Sequence, residues 1–189
     1  MKTTLVAALL ATAFAGAHAE SATYAVDPTH TAVTFEALHF GTSTLRGRFD
    51  KKEGSVTLDK AGKSGKAEIT IDTTSINTGV PALDTHLKSK DFFNAAEFGT
   101  AKFSADKFNF NGEKVTDLTG TLTLLGKTQP VTLKATNFNC YVNPMLKREA
   151  CGGDFETTIT RSQYGINYGL PGIPDNIRLL IQVEAIKQQ

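Results

Sequence analysis

The stretch Asp27–Phe49, DPTHTAVTFEALHFGTSTLRGRF, decides how this chain folds. Between Thr31 and Phe40 the odd positions Val33, Phe35 and Ala37 are apolar, while Thr34 and Glu36 between them are polar. A period of two is that of a β-strand with one dry and one wet face. His39 keeps the parity of Val33 and Phe35, so an imidazole is expected on the dry face near the strand end. Leu45–Asp50, at the end of the same stretch, reads as a further strand.

The same alternation runs down the chain. Candidate strands are Thr23–Val26, Thr31–Phe40, Leu45–Asp50, Ser55–Leu58, Lys66–Asp72, Ala101–Phe110, Val115–Leu125, Gln129–Asn139, Asp154–Thr160 and Ile177–Ile186. Asn111-Gly112 is a hairpin-turn signal. Phe103 and Ala105 are odd but Phe108 and Phe110 even, which places a bulge near Asp106-Lys107. The exception to the strand series is Pro81–Ala96, PALDTHLKSKDFFNAA, read as a helical insertion carrying Leu83, Leu87, Phe92 and Phe93. Such a series suits an all-β, closed antiparallel barrel better than a two-sheet sandwich, although periodicity alone does not separate the two.

Met1–Ala19 reads as a cleaved signal peptide: Lys2, the apolar Leu5–Ala15, then Ala17-His18-Ala19. Residues 20–189 are expected to form one domain. Lys2 is the one charged residue of the leader, so 19 Lys+Arg face 19 Asp+Glu in the remainder. A neutral chain without a basic run excludes nucleic acid as the natural partner. It also lacks the polybasic segment of an anionic-membrane binder. Cys140 and Cys151, separated by YVNPMLKREA, read as a disulfide in an oxidising compartment. Asn143-Pro144 and Gly152-Gly153 are read as turn formers, so the crosslink is expected to staple a long hairpin loop. No catalytic motif is present: there is no G-x-S-x-G elbow, phosphate loop or H-E-x-x-H, and His30, His39 and His86 lack metal-ligand spacing. No catalytic residue, metal or cofactor is assigned.

Several ordered blocks carry a family resemblance. They are DPTHTAVTFEALHF at 27–40, GRFDKKEGSV at 47–56, HLKSKDFFNAAEFGTAKF at 86–103, GTLTLLGKTQPVTL at 120–133, RSQYGINYGLP at 161–171 and DNIRLLIQVEA at 175–185. In these the chain resembles the YceI-like family of exported, lipocalin-like polyisoprenoid-binding proteins. The resemblance implies an extended, lipocalin-like β-barrel around an apolar tunnel, with a bound isoprenoid lipid such as ubiquinone or a polyprenyl phenol. It further implies a periplasmic or secreted carrier rather than an enzyme.

Strand parity then nominates the tunnel wall: Val33, Phe35, Ala37, His39, Phe49, Ile69, Ile71, Phe103, Phe108, Phe110, Leu122, Leu124, Val131, Leu133, Phe155, Ile159, Leu179, Ile181 and Val183, with Phe92 from the insertion. Head-group candidates are His39, Arg48, His86, Arg161 and Tyr164, because each carries a polar group that can meet a quinone or phenol oxygen. The alternative is a solid core, since parity alone does not distinguish a filled interior from a hollow one, and a surface interaction module would then follow. A homodimer through an exposed edge strand also stays open.

Overall fold

Residue alternation becomes a barrel because most strands have one apolar face and neighbours on both sides. The computed structural model describes residues 21–189; the leader assigned to Met1–Ala19 lies outside the described residues. Strands β1 (Ala22–Val26), β4 (Lys52–Asp59), β5 (Ser64–Asp72), β7 (Thr100–Asn111), β8 (Lys114–Leu124), β9 (Lys127–Val142), β10 (Glu149–Thr160) and β11 (Asn176–Lys187) form an antiparallel ring, with β1 closing on β11. Closure removes the free edges that an open sheet would expose.

The ring is not uniform along its length. β11 uses Ala185–Lys187 to pair with β1, but Arg178–Gln182 to pair with β2 (Ala32–His39). At that second end the wall continues through β3 (Ser43–Phe49) and the two-residue β6 (Ile76–Asn77), which meets β3 only at Arg48 and Phe49. The helix α1 (Pro81–Lys88) lies beside β6 and covers this end. Pro81 occupies its first turn, where a missing N–H costs nothing. The Asp84 carboxylate accepts from the Thr78 amide at 2.7 Å and the Thr78 hydroxyl at 2.6 Å, fixing the entry.

The helix is shorter than the expected Pro81–Ala96. It stops at Ser89, which is extended, and Asn94 takes a left-handed φ of 41°. Residues 89–98 instead fold back in turns held by Phe93 N–H to Leu87 C=O and Ala95 N–H to Lys88 C=O. The fold-back buries Phe92 and Ala95.

Local signals explain the hairpins. Leu125 and Gly126 both take positive φ, 49° and 71°, as a two-residue I′ turn requires. The turn after β7 is Gly112-Glu113, one residue later than expected, and glycine supplies its positive φ of 61°. The bulge falls at Asp106, where the β7–β8 register shifts between Ala105 and Lys107.

Gly152 and Gly153 are not turn residues, contrary to expectation; they lie inside β10, whose hairpin loop is 143–148. A Cβ on Gly152 would sit 2.1 Å from the Val183 carbonyl oxygen, and one on Gly153 2.1 Å from that of Asn137. Glycine is required there for neighbouring backbones to approach. The Cys140–Cys151 disulfide joins directly paired residues of β9 and β10, with Cα atoms 4.1 Å apart.

Candidate functional site

The inward faces meet around empty space rather than around a filled core. Val33, Ile71, Leu122 and Leu179 form a waist where two compartments adjoin. On one side lies a narrow compartment of about 130 Å³, walled by side chains such as Ile69, Phe103, Phe108, Leu133, Phe155 and Ile181. On the other lies a wide compartment of about 470 Å³, walled by Phe35, Ala37, Leu45, Phe49, Leu124 and Ile159 and roofed by Leu83, Leu87, Phe92 and Phe93. Close-packed interiors leave few voids larger than a water molecule. A space of 470 Å³ is therefore a built feature, of the size that takes a small-molecule ligand. Ile177, Leu179, Ile181 and Val183 share the inward parity of β11 yet are only half-buried, because they face this space.

Buried side chains pack the narrow end. Tyr24 and Phe138 are buried beside the disulfide cysteine Cys151. The Tyr24 hydroxyl donates to the Glu149 carboxylate at 2.7 Å, and Lys60 caps the same carboxylate. Burial, reinforced by that carboxylate, pushes the Tyr24 phenol well above its usual range. Burial also pushes Glu149 upward, but the hydrogen bonds from Lys60 and Tyr24 outweigh it and leave the carboxyl below its usual value.

The wide end has polar groups at its rim. His86 stands in the last turn of α1, and its ring meets Phe92 and Tyr168 edge-on, with centroids 5.0 Å away in each case. These rings join the helix to the 165–173 loop. His86 Nε2 is 3.2 Å from the Asp91 carboxylate. His39 also lines the wide compartment, edge-on to Phe40 with centroids 4.8 Å apart.

Arg161 is the charged lining residue of the wide compartment and is only 4% exposed. Its Nε donates to the Pro174 carbonyl (2.9 Å), Nη1 to Ile166 (3.1 Å) and Tyr168 (2.9 Å), and Nη2 to Ile173 (2.9 Å). The guanidinium has five N–H groups, and these four bonds hold the loop in its arch over the cavity. Burial lowers its pKa, partly offset by the Asp175 carboxylate. Asp175 is itself engaged by the Ser162 amide and hydroxyl, at 2.8 and 2.6 Å, which set the turn before β11.

Of the expected tunnel residues, Phe110 lines neither compartment. It pairs with Val115, one step before the closing Asn111–Lys114 pair, and packs half-buried against the core. Two head-group candidates also stand elsewhere. Arg48 lies between the inward Gly47 and Phe49, so it faces outward, where Nε contacts Asp50 at 2.8 Å. Arg46 is likewise on the outer face, 2.7 Å from Glu36. Tyr164 is buried in the core and its hydroxyl has no partner among the described residues. His39, His86 and Arg161 do converge on one compartment.

Sequence reading missed Ile166, Gly169 and Ile173, because a loop has no periodicity to give its inward residues away. It missed Leu58, Phe138 and Ala185 in the narrow wall although strand parity was available for them.

Comparison with known proteins agrees with this architecture. A family model described as the YceI-like domain matches residues 24–185. The chain belongs to the YceI-like family. A UPF0312 protein of Pseudomonas aeruginosa is 36% identical over 192 residues, covering 100% of both chains. A crystal structure of the Campylobacter jejuni YCEI protein superposes with a TM-score of 0.70 at 26% identity, covering 78% of this chain and 87% of that one. A polyisoprenoid binding domain from Saccharophagus degradans shares the fold, with a TM-score of 0.63 at 16% identity, over 89% of this chain and 100% of the domain.

Proposed function

We propose that this protein is an exported carrier of a long-chain isoprenoid lipid, such as a polyprenyl quinone or phenol, which it holds by reversible burial of the apolar tail. The observation that carries the reading is the pair of adjoining apolar compartments, the narrow one ending among the buried Tyr24 and Phe138 and the wide one rimmed by His39, His86 and Arg161. A tail entering from the wide end would pass the waist into the narrow compartment, leaving its head near the polar rim. Each CH₂ removed from water contributes about 0.8 kcal/mol, so a chain of a few isoprene units has ample driving force. The N–H groups of the two imidazoles, and the one guanidinium N–H not bonded to a loop carbonyl, suit acceptor oxygens of a quinone or phenol ring. The isoprenoid class rests on the family resemblance of the sequence blocks. The periplasmic or secreted location rests on the leader-like Met1–Ala19, and a disulfide fits an oxidising compartment.

Native mass spectrometry of gently purified protein, followed by organic extraction of the bound lipid, tests this. A stoichiometric polyprenyl quinone or phenol is expected. A clean apo mass, with no uptake of added quinone, would overturn the reading and leave an interaction module whose cavity has another use.

A further inference from the structure

We propose that the wide end of the barrel docks on a phospholipid bilayer through Leu38, Phe40, Tyr168 and Leu170, so that cargo passes between membrane and lumen without crossing water; this rests on the carrier reading above. Phe40 is 64% exposed, Tyr168 49%, Leu38 45% and Leu170 38%. Phe40 and Tyr168 also line the wide compartment, so these two rings face both the lumen and the outside. Exposed apolar surface of this kind marks an interaction site.

The patch is held in place by the fold. The Phe40 amide donates to the Gly172 carbonyl at 3.0 Å, tying the β2–β3 turn to the 165–173 loop. A Cβ on Gly172 would lie 2.3 Å from the Phe40 ring, so that glycine leaves room for the ring to lie against the loop. Phe40 adopts a φ of 48°, a left-handed conformation that is unfavourable for a bulky side chain. The chain thus accepts local strain to present an aromatic ring at the rim.

Charge selects the occupant. Residues 37–45, ALHFGTSTL, and 165–173, GINYGLPGI, contain no Lys, Arg, Asp or Glu. These two segments themselves offer a charged protein or nucleic-acid surface nothing to pair with, the neighbouring charges being those of α1 and Asp91 on the far side of His86. Apolar residues flanked by Tyr168 and His39 fit the membrane interface, where rings with a polar edge concentrate. The mode is shallow and hydrophobic, so it is insensitive to salt, unlike a polybasic contact.

Vesicle flotation tests the proposal, using the purified protein and vesicles of phosphatidylethanolamine and phosphatidylglycerol. Wild type is expected to float at low and at high salt. Leu38→Ser/Leu170→Ser removes exposed side chains that do not line the cavity, and should lower the floated fraction at least about tenfold. The same variant should take up detergent-dispersed polyprenyl quinone as wild type does, while transfer from quinone-loaded vesicles slows. Unchanged flotation of that variant would overturn docking at this end. So would loss of flotation in Val142→Ser/Met145→Ser, at the opposite end, or binding abolished by salt. A wild type that takes up dispersed quinone yet never floats would sink docking alone, whereas failure to take up any quinone would sink the carrier reading. Loss of a dimer in the Leu38→Ser/Leu170→Ser variant without any change in flotation would assign the patch to a second copy instead.

Discussion

The two ends of the barrel are built from the same alternating strands, yet one is narrow and stapled while the other is wide and roofed by a helix. At the narrow end, β1 bridges β11 and β4, Tyr24 and Phe138 fill the interior, and a disulfide ties β9 to β10. At the wide end β1 is replaced by β2 and β3, which splay toward a short helix and an arched loop. Replacing a ring strand by a helix and loops widens the interior from about 130 to about 470 Å³. Continuous strand pairing yields rigidity and a floor. Interrupted pairing yields volume, a rim and an entrance.

If the wide compartment is the site of uptake, filling it should have the largest effect on affinity. Ala101 is buried on its wall, and Ala101→Trp is expected to reduce quinone affinity by at least about a hundredfold, equivalent to about 2.8 kcal/mol. Circular dichroism should show the fold retained; full affinity would break the comparison. Ala67→Phe narrows the other compartment instead, so it should weaken only the longest tails.

The loop over the wide end depends on Arg161. Arg161→Met removes four hydrogen bonds to carbonyls and should destabilise the protein by about 3–5 kcal/mol in urea unfolding. Arg161→Lys should recover little, since an ammonium cannot reproduce the fork. At the narrow end, Cys140→Ala/Cys151→Ala should cost roughly 3 kcal/mol of stability and leave quinone affinity near wild type. An equal loss of affinity would mean that the staple supports the site as well as the fold.

The smallest expected effect concerns pH. Burial raises the Tyr24 and Tyr164 phenols above the ordinary 10.0. The unfolded chain therefore releases these protons first, so stability is intact below pH 10 and falls as pH rises beyond it. Tyr164→Phe deletes a buried hydroxyl without a partner among the described residues. It should raise stability at neutral pH by about 1 kcal/mol and soften the alkaline decline seen in thermal melts.

How much was legible in the sequence differs between the same two ends. Strand parity told the inner face of β2, β8, β9 and β11, and the phase change between Phe103 and Phe108 located the bulge at Asp106. These features repeat along one strand, so they need no partner to be read. The length of β9 and β10 was hidden, because Gly152-Gly153 is a turn signal locally and a close-approach site only once Asn137 and Val183 are beside it. The wide end was less legible still. Ile166 and Ile173 reach the cavity because Arg161 folds their loop, and that arrangement depends on carbonyls far from any pattern. Arg48 was misplaced for a simpler reason: its neighbours Gly47 and Phe49 take the inward parity. Parity also says nothing of whether an apolar face meets other side chains or a void, so the hollow interior needed coordinates or the family resemblance.

The most direct test of the account is a titration of delipidated protein with polyprenyl quinones of increasing tail length. The two-compartment lumen predicts affinity rising at least about tenfold per added isoprene unit, then levelling once the tail has crossed the waist and reached the Tyr24 floor. Affinity that does not depend on tail length would contradict it, because binding would then owe nothing to the lumen.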